Sequence, residues 1–179
     1  EKVRLATILG TFQSTLDKFQ FLSADWHKNT TEERLLGVSL TGIMDSKMMA
    51  NPDPVFLEQM RDEARKTNEK YAKLLDVPVS AAISCIKPSG TVSQLVNASS
   101  GIHSRHSPYY IRTVRTDKKD SLYEFLKDKG VPVEDCLMDK YKQTAVFSFP
   151  IKSPRGCITR DDRTALQELE TWLTYQRYW

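Results

Sequence analysis

The run Lys87-Pro88-Ser89-Gly90-Thr91-Val92-Ser93 is the part of this chain best equipped for chemistry. Ala81 to Ile86 reads as an apolar, buried strand that Lys87-Pro88 stops, and the turn opens a short helix. Gly90 lets the backbone come close to a ligand, and Thr91 or Ser93 is placed to cap the helix. Hydroxyls, backbone N–H groups and the positive end of a helix then converge on one point, the usual arrangement for a bound phosphate. The anion-binding candidates are therefore Pro88, Ser89, Gly90, Thr91, Val92 and Ser93. An ordinary capped strand-to-helix turn has the same local pattern. The Walker spacing is absent, since no glycine lies five residues before Gly90 and no lysine follows it, which excludes a P-loop triphosphatase.

A second polar run, Ser99 to Ser107, follows the short helix and contains His103 and Arg105, which are placed to touch a ligand or to serve as surface loop residues. The three cysteines, Cys85, Cys136 and Cys157, are unevenly spaced and form no Cys-x-x-Cys pair, so neither a disulfide framework nor a zinc site is expected. That usage suits a reducing, cytoplasmic compartment.

Alternating strand and helix signals must position these residues, and they predict an α/β architecture of parallel strands with helical crossovers. Val3, Leu5, Ile8, Leu9, Phe12, Leu16 and Phe19 recur at helical spacing and predict a helix to about residue 20 with one apolar face buried. Asp25 to Glu33 is polar and reads as a loop or brief turn, with Trp26 and His27 as a surface packing pair, before a strand over Leu36 to Leu40. Met44, Met48 and Met49 suit irregular core gaps. Asn51-Pro52-Asp53-Pro54 starts a long helix that ends before Pro78, with Val55, Phe56, Met60, Ala64, Tyr71, Leu74 and Leu75 as its apolar positions. A strand over Tyr109 to Thr116 precedes a helix that Lys118-Lys119-Asp120-Ser121 starts, that runs to about Lys129 and that Gly130 closes. A buried strand over Thr144 to Phe149 is stopped by Pro150. The last helix is capped by Thr159 or Asp161 and buries Leu166, Leu169, Trp172, Leu173 and Tyr175.

Several ordered motifs carry a family resemblance. Lys87 to Ser93, then Ser100-Gly101-Ile102-His103, then Tyr109-Tyr110-Ile111-Arg112-Thr113-Val114-Arg115 resemble the adenosylcobalamin-dependent ribonucleoside-triphosphate reductases, the class II ribonucleotide reductases. Leu36 to Asp45, Phe147 to Pro150 and Trp172 to Trp179 extend the likeness over most of the chain. The resemblance implies a segment of a ten-stranded α/β catalytic barrel, with residues 1–179 as one piece from its C-terminal part. The chain opens without Met and ends on Trp179 where the family continues, so both termini read as truncated. It further implies adenosylcobalamin as cofactor, a ribonucleotide substrate whose phosphates rest on Pro88 to Ser93, a dithiol reductant such as thioredoxin, and deoxynucleotide effectors bound elsewhere. The family's radical cysteine lies in an Asn-x-Cys-x-Glu setting that does not occur here, so no catalytic residue is carried over. Another phosphate-binding α/β enzyme would use the same turn.

Composition narrows the partners. The 179 residues are 40% apolar, which suffices for a real core, and the net charge of +3 is too mild to imply nucleic acid. Arg112, Arg115, Lys118 and Lys119 form a basic run, a solvated face or an aid to an anionic ligand. Tyr109 and Ile111 alternate with Tyr110 and Arg112, so no aromatic platform for bases forms on one face. No run reaches the roughly eighteen apolar residues that a membrane helix needs.

Overall fold

The computed structural model describes residues 1–179, which divide into two compact units, Glu1–Arg105 with Gly156–Trp179, and His106–Arg155.

The first unit opens with helix α1, Lys2–Gln13. It stops well short of residue 20 because the hydroxyls of Ser14 and Thr15 bond back to the carbonyls of Thr11 and Phe12 and draw the backbone out of its ladder. Its buried face holds Thr7 and Thr11 rather than the predicted apolar stripe, and Leu9 is 70% exposed. Residues 24–33 form a full helix α2, Ala24–Glu33, where the sequence suggests a loop or a brief helical turn. Arg34 ends it in the left-handed conformation at φ 46°. The Arg34 guanidinium then donates to the Ser14 carbonyl at 2.6 Å and pairs with Asp17 at 3.0 Å, joining the ends of α1 and α2. That tertiary tether compensates for the poor helix propensity of Asn29, Thr30 and Thr31.

Strand β1, Val38–Ser39, leads through a helical turn at Ile43–Asp45 and the short helix α3, Lys47–Ala50, into α4, Pro54–Leu75. Asp53 caps α4 by accepting from the Val55 N–H at 3.0 Å, and Asp76 closes it at φ 54°. The buried positions are Leu57, Ala64, Thr67, Asn68 and Ala72, while Val55 and Leu74 face outward. Asn68 is fully buried: its amide donates to Thr11 Oγ1 and Ser80 Oγ, each at 3.0 Å, and its oxygen accepts from the Ser80 N–H at 2.9 Å.

Strand β2, Ser84–Cys85, pairs parallel with β1, so the expected parallel pair with a helical crossover is present, though each strand has only two residues. Ala81 and Ala82 are exposed rather than part of a buried strand. Helix α5, Val92–Leu95, follows. The core of this unit is built from Val38, Ile43, Leu57, Tyr175 and Trp179, and Met44 is fully buried as a gap filler while Met48 is exposed.

In the second unit, strand β3, Tyr109–Asp117, helix α6, Ser121–Asp128, and strands β4, Val133–Asp135, and β5, Thr144–Lys152, form a three-stranded sheet of order β3-β5-β4 with one helix. Both pairings are antiparallel, which corrects the all-parallel expectation for this half. Asp120 caps α6, and Tyr123 packs on the buried Phe147 with ring centroids 5.9 Å apart. Pro150 does not stop β5. It lies beyond the segment that β4 covers, opposite Ile111, where β5 has a neighbour on one side only and a missing N–H is tolerated. Lys118 is held by Asp135 at 2.6 Å, so the basic run is partly neutralised.

Helix α7, Ala165–Tyr178, returns the chain to the first unit. Thr164 and Gln167 form its capping box, because Thr159 turns its N–H and hydroxyl onto Asp162 instead, both at 2.7 Å. Of the predicted apolar stripe only Tyr175 is buried; Leu166, Leu169, Trp172 and Leu173 are exposed. The Tyr175 hydroxyl donates to the Met49 carbonyl at 2.7 Å, and the Trp179 indole donates to Cys85 at 2.9 Å, which locks the helix end onto β2.

Candidate functional site

Strand β2 delivers Lys87 beside β1, where its N–H donates to Ser39 Oγ at 3.1 Å. The turn that follows is shaped by its own hydroxyls. Ser89 Oγ accepts from the Ser93 N–H at 3.0 Å, and the Ser93 hydroxyl donates back to the Ser89 carbonyl at 2.6 Å. Ser89 therefore does the capping that Thr91 or Ser93 was expected to do, and it does so from outside the helix. Ser93 is fully buried and fixes the turn rather than presenting its hydroxyl to a ligand. Thr91, at the N-cap position, makes no capping bond with its side chain. Gly90 is exposed, and a Cβ built on it meets no atom within 4 Å.

Ser39, Thr41 and Lys87 through Val92 line one concavity of about 340 Å³. Thus Pro88, Ser89, Gly90, Thr91 and Val92 meet at one cavity, with Ser93 behind them. A larger depression of about 470 Å³ runs along the β2 backbone and carries Arg61, Arg65 and Arg177, but Arg61 is already bonded to the Arg177 carbonyl and paired with Glu58.

The turn rests on residues 97–105. The Ser89 N–H donates to Ser100 Oγ at 2.8 Å. Thr41 supports the same segment, donating its hydroxyl to the Ser99 carbonyl at 2.9 Å and accepting from the Gly101 N–H at 3.1 Å. Gly101 has φ +54°, and a Cβ there would stand 3.2 Å from the Lys87 carbonyl oxygen, so the glycine is required by close approach to the strand end.

His103 and Arg105 separate in role. His103 is exposed at the end of a turn closed by its N–H to the Ser100 carbonyl at 2.9 Å. Arg105 is 5% exposed: Nε and Nη2 bond the two oxygens of Asp45, each at 2.9 Å, and Nη1 and Nη2 reach the side-chain and main-chain oxygens of Asn97 at 3.3 and 2.6 Å. Of the two roles open to Arg105, ligand contact or surface loop residue, its 5% exposure does not suit the surface one, and its fork is engaged by Asp45 and Asn97 within the protein. Ser39, Thr41, Asp45, Asn97 and Ser100 were not singled out as site residues. Thr41 and Asp45 lie in the very motif that marked the strand upstream, and only the folded loop shows that they serve the turn.

Cys85 and Cys157 are half-buried, Cys136 is buried, and all are free thiols. The Cys136 thiol is held below its ordinary value, first by the Met138 N–H and then by the Arg115 side chain. No cluster of His, Cys, Asp and Glu is arranged to hold a metal ion, and no helix is long and apolar enough to cross a membrane.

No family model matches the chain. It is 31% identical over 162 residues to a probable adenosylcobalamin-dependent ribonucleoside-triphosphate reductase of Dictyostelium discoideum, a match covering 87% of this chain and 20% of that protein. The Euglena gracilis adenosylcobalamin-dependent ribonucleoside-triphosphate reductase is 29% identical over 150 residues, 82% of this chain and 20% of that protein. The chain thus spans about a fifth of the length of these relatives. A crystal structure of a B12-dependent (class II) ribonucleotide reductase superimposes on 99% of this chain and 29% of its own, with a TM-score of 0.79 and 20% identity, which shows that the two share a fold. The resemblance carried by the motifs stands: the chain is related to a segment of these reductases.

Proposed function

We propose, from its relation to the adenosylcobalamin-dependent ribonucleoside-triphosphate reductases, that this chain is a piece of the α/β catalytic barrel of such an enzyme, and that the Pro88–Ser93 turn receives the substrate's phosphates. The observation that carries the proposal is the convergence of Lys87 to Val92 with Ser39 and Thr41 on one concavity within the matched sequence. Lys87 supplies positive charge at its rim. Gly90 brings no side chain to the wall, and a Cβ built there would meet nothing within 4 Å, so no bulk at this position keeps a phosphate oxygen from the turn. Thr91 supplies a hydroxyl that its own helix does not use. Ser89 and Ser93 hold the shape. His103 is the one of the loop pair that faces solvent, and so the one placed to meet a ligand.

The whole protein would reduce ribonucleoside triphosphates in the cytoplasm, drawing electrons from a dithiol such as thioredoxin and binding deoxynucleotide effectors outside this segment. Adenosylcobalamin would supply the radical. This chain's part is orientation: fixed phosphates hold the ribose at attack distance, and correctly placed reactants lower a barrier by several kcal/mol.

The test is binding of inorganic tripolyphosphate and ATP to the chain by calorimetry, before and after Gly90→Val. The empty space around Gly90 means that the variant folds with an unchanged melting temperature. Affinity falls about tenfold to a hundredfold as one charge-assisted hydrogen bond is lost. Unchanged affinity in the folded variant returns the turn to an ordinary capped connection.

A further inference from the structure

We infer that the buried Asp45–Arg105 pair is a positioning device for the phosphate turn, an inference that rests on the reading of Pro88–Ser93 given above. Neither residue lines the concavity. Both act through the 97–101 segment.

The connections are continuous. Arg105 clamps both Asp45 oxygens at 2.9 Å and holds Asn97 through its side chain and its carbonyl. Asp45 Oδ2 also accepts from the Ser99 N–H at 2.7 Å. Asn97 sits at φ 48°, a conformation that asparagine tolerates better than most residues but that still needs outside support. With Asn97 and Ser99 held, the Ser99 carbonyl meets the Thr41 hydroxyl at 2.9 Å and the Gly42 N–H at 2.8 Å, and Ser100 Oγ is presented to the Ser89 N–H at 2.8 Å. Ser93 is tied to the same segment by its carbonyl, which accepts from the Ala98 N–H at 2.8 Å. The turn is therefore held at both ends by a loop whose shape the ion pair sets.

The pair is well built for this. Arg105 and Asp45 have side chains 4% and 16% exposed, and the bidentate fork admits one relative orientation, which a lysine would not impose. Arg105 is anchored in turn by its main chain, whose N–H donates to Ile158 at 2.9 Å and whose carbonyl accepts from the Arg160 N–H at 2.8 Å. The guanidinium starts from a fixed base.

The experiment is amide hydrogen exchange on the chain with Arg105→Met and, as the gentler isosteric variant, Asp45→Asn, read at Ser89, Ser93 and the amides of α4. Tripolyphosphate affinity is measured alongside, with Arg105→Lys as the conservative comparison. Exchange at Ser89 and Ser93 accelerates about tenfold while α4 is unchanged, and tripolyphosphate binding weakens by a similar factor. Arg105→Lys, which keeps the charge and loses the fork, restores less than half of the lost protection. Equal acceleration across α4 and the turn marks a purely global effect and overturns the inference, as does unaltered exchange at Ser89 and Ser93. If the unmodified chain fails to bind tripolyphosphate, the phosphate reading falls, and the exchange data still decide whether the pair positions the turn.

Discussion

Replacing Gly101 with alanine puts a methyl group where the structure has least room for one. The residue lies at φ +54°, and its Cβ would stand 3.2 Å from the Lys87 carbonyl oxygen, 3.4 Å from the Lys87 carbonyl carbon and 3.5 Å from Ile86 Cγ2. The left-handed backbone alone costs an L-residue about 1–2 kcal/mol. Alanine recovers about 0.4–1 kcal/mol of that by narrowing the unfolded ensemble. The crowded carbonyl is main chain and cannot rotate away, so relief comes from moving the strand end, at about 1–3 kcal/mol for an overpacked site. The net loss is near 3 kcal/mol, or about 6–12 °C in melting temperature for a chain of this size. The displaced atom belongs to the residue before Pro88, so the phosphate turn moves with it and tripolyphosphate affinity drops as well. Thermal melting followed by circular dichroism, with Gly90→Ala as the control, provides the assay. A Cβ on Gly90 meets nothing within 4 Å, and that variant should stay within about 0.5 kcal/mol of the parent. A Gly101→Ala chain that melts with the parent refutes the claim that this glycine is demanded by close approach.

Asn68→Ala removes three buried hydrogen bonds and strands the Ser80 N–H and hydroxyl, while the Thr11 hydroxyl keeps its bond to the Thr7 carbonyl, and urea denaturation should show a loss of about 2–4 kcal/mol. Burial pushes the Tyr175 phenol well above its ordinary value. The folded protein therefore disfavours the phenolate, and the stability that this group contributes is complete below about pH 10 and declines as pH rises beyond it. Tyr175→Phe should flatten that alkaline decline relative to the parent in urea titrations between about pH 9 and 11, while losing about 1 kcal/mol at neutral pH with the bond to Met49.

Much of the organisation was legible from local chemistry alone. Asp53-Pro54 marks the start of α4 and Asp120 the start of α6, because a capping carboxylate and a prolyl ring act within a few residues of themselves. The Pro88-Ser89-Gly90-Thr91 turn and its likeness to the reductases were equally visible, since ordered motifs survive in sequence whether or not their contacts are known. What depended on distant partners was not. The apolar positions of α1 and α7 follow helical spacing, yet the faces that are buried carry Thr7, Thr11 and Thr171, because what packs against a helix is chosen by the fold and not by the helix. Residues 24–33 became helical through the Arg34 tether to Ser14 and Asp17, which no propensity contains. Asp45 and Arg105 lie 60 residues apart in the chain, and only folding turned a candidate ligand-binding arginine into the inner half of an ion pair. The sequence by itself determined which groups this protein has for meeting an anion. The tertiary structure decided which of them face the cavity and which are consumed in holding it, because a hydrogen-bonding group serves a ligand only where the fold has left it unspent.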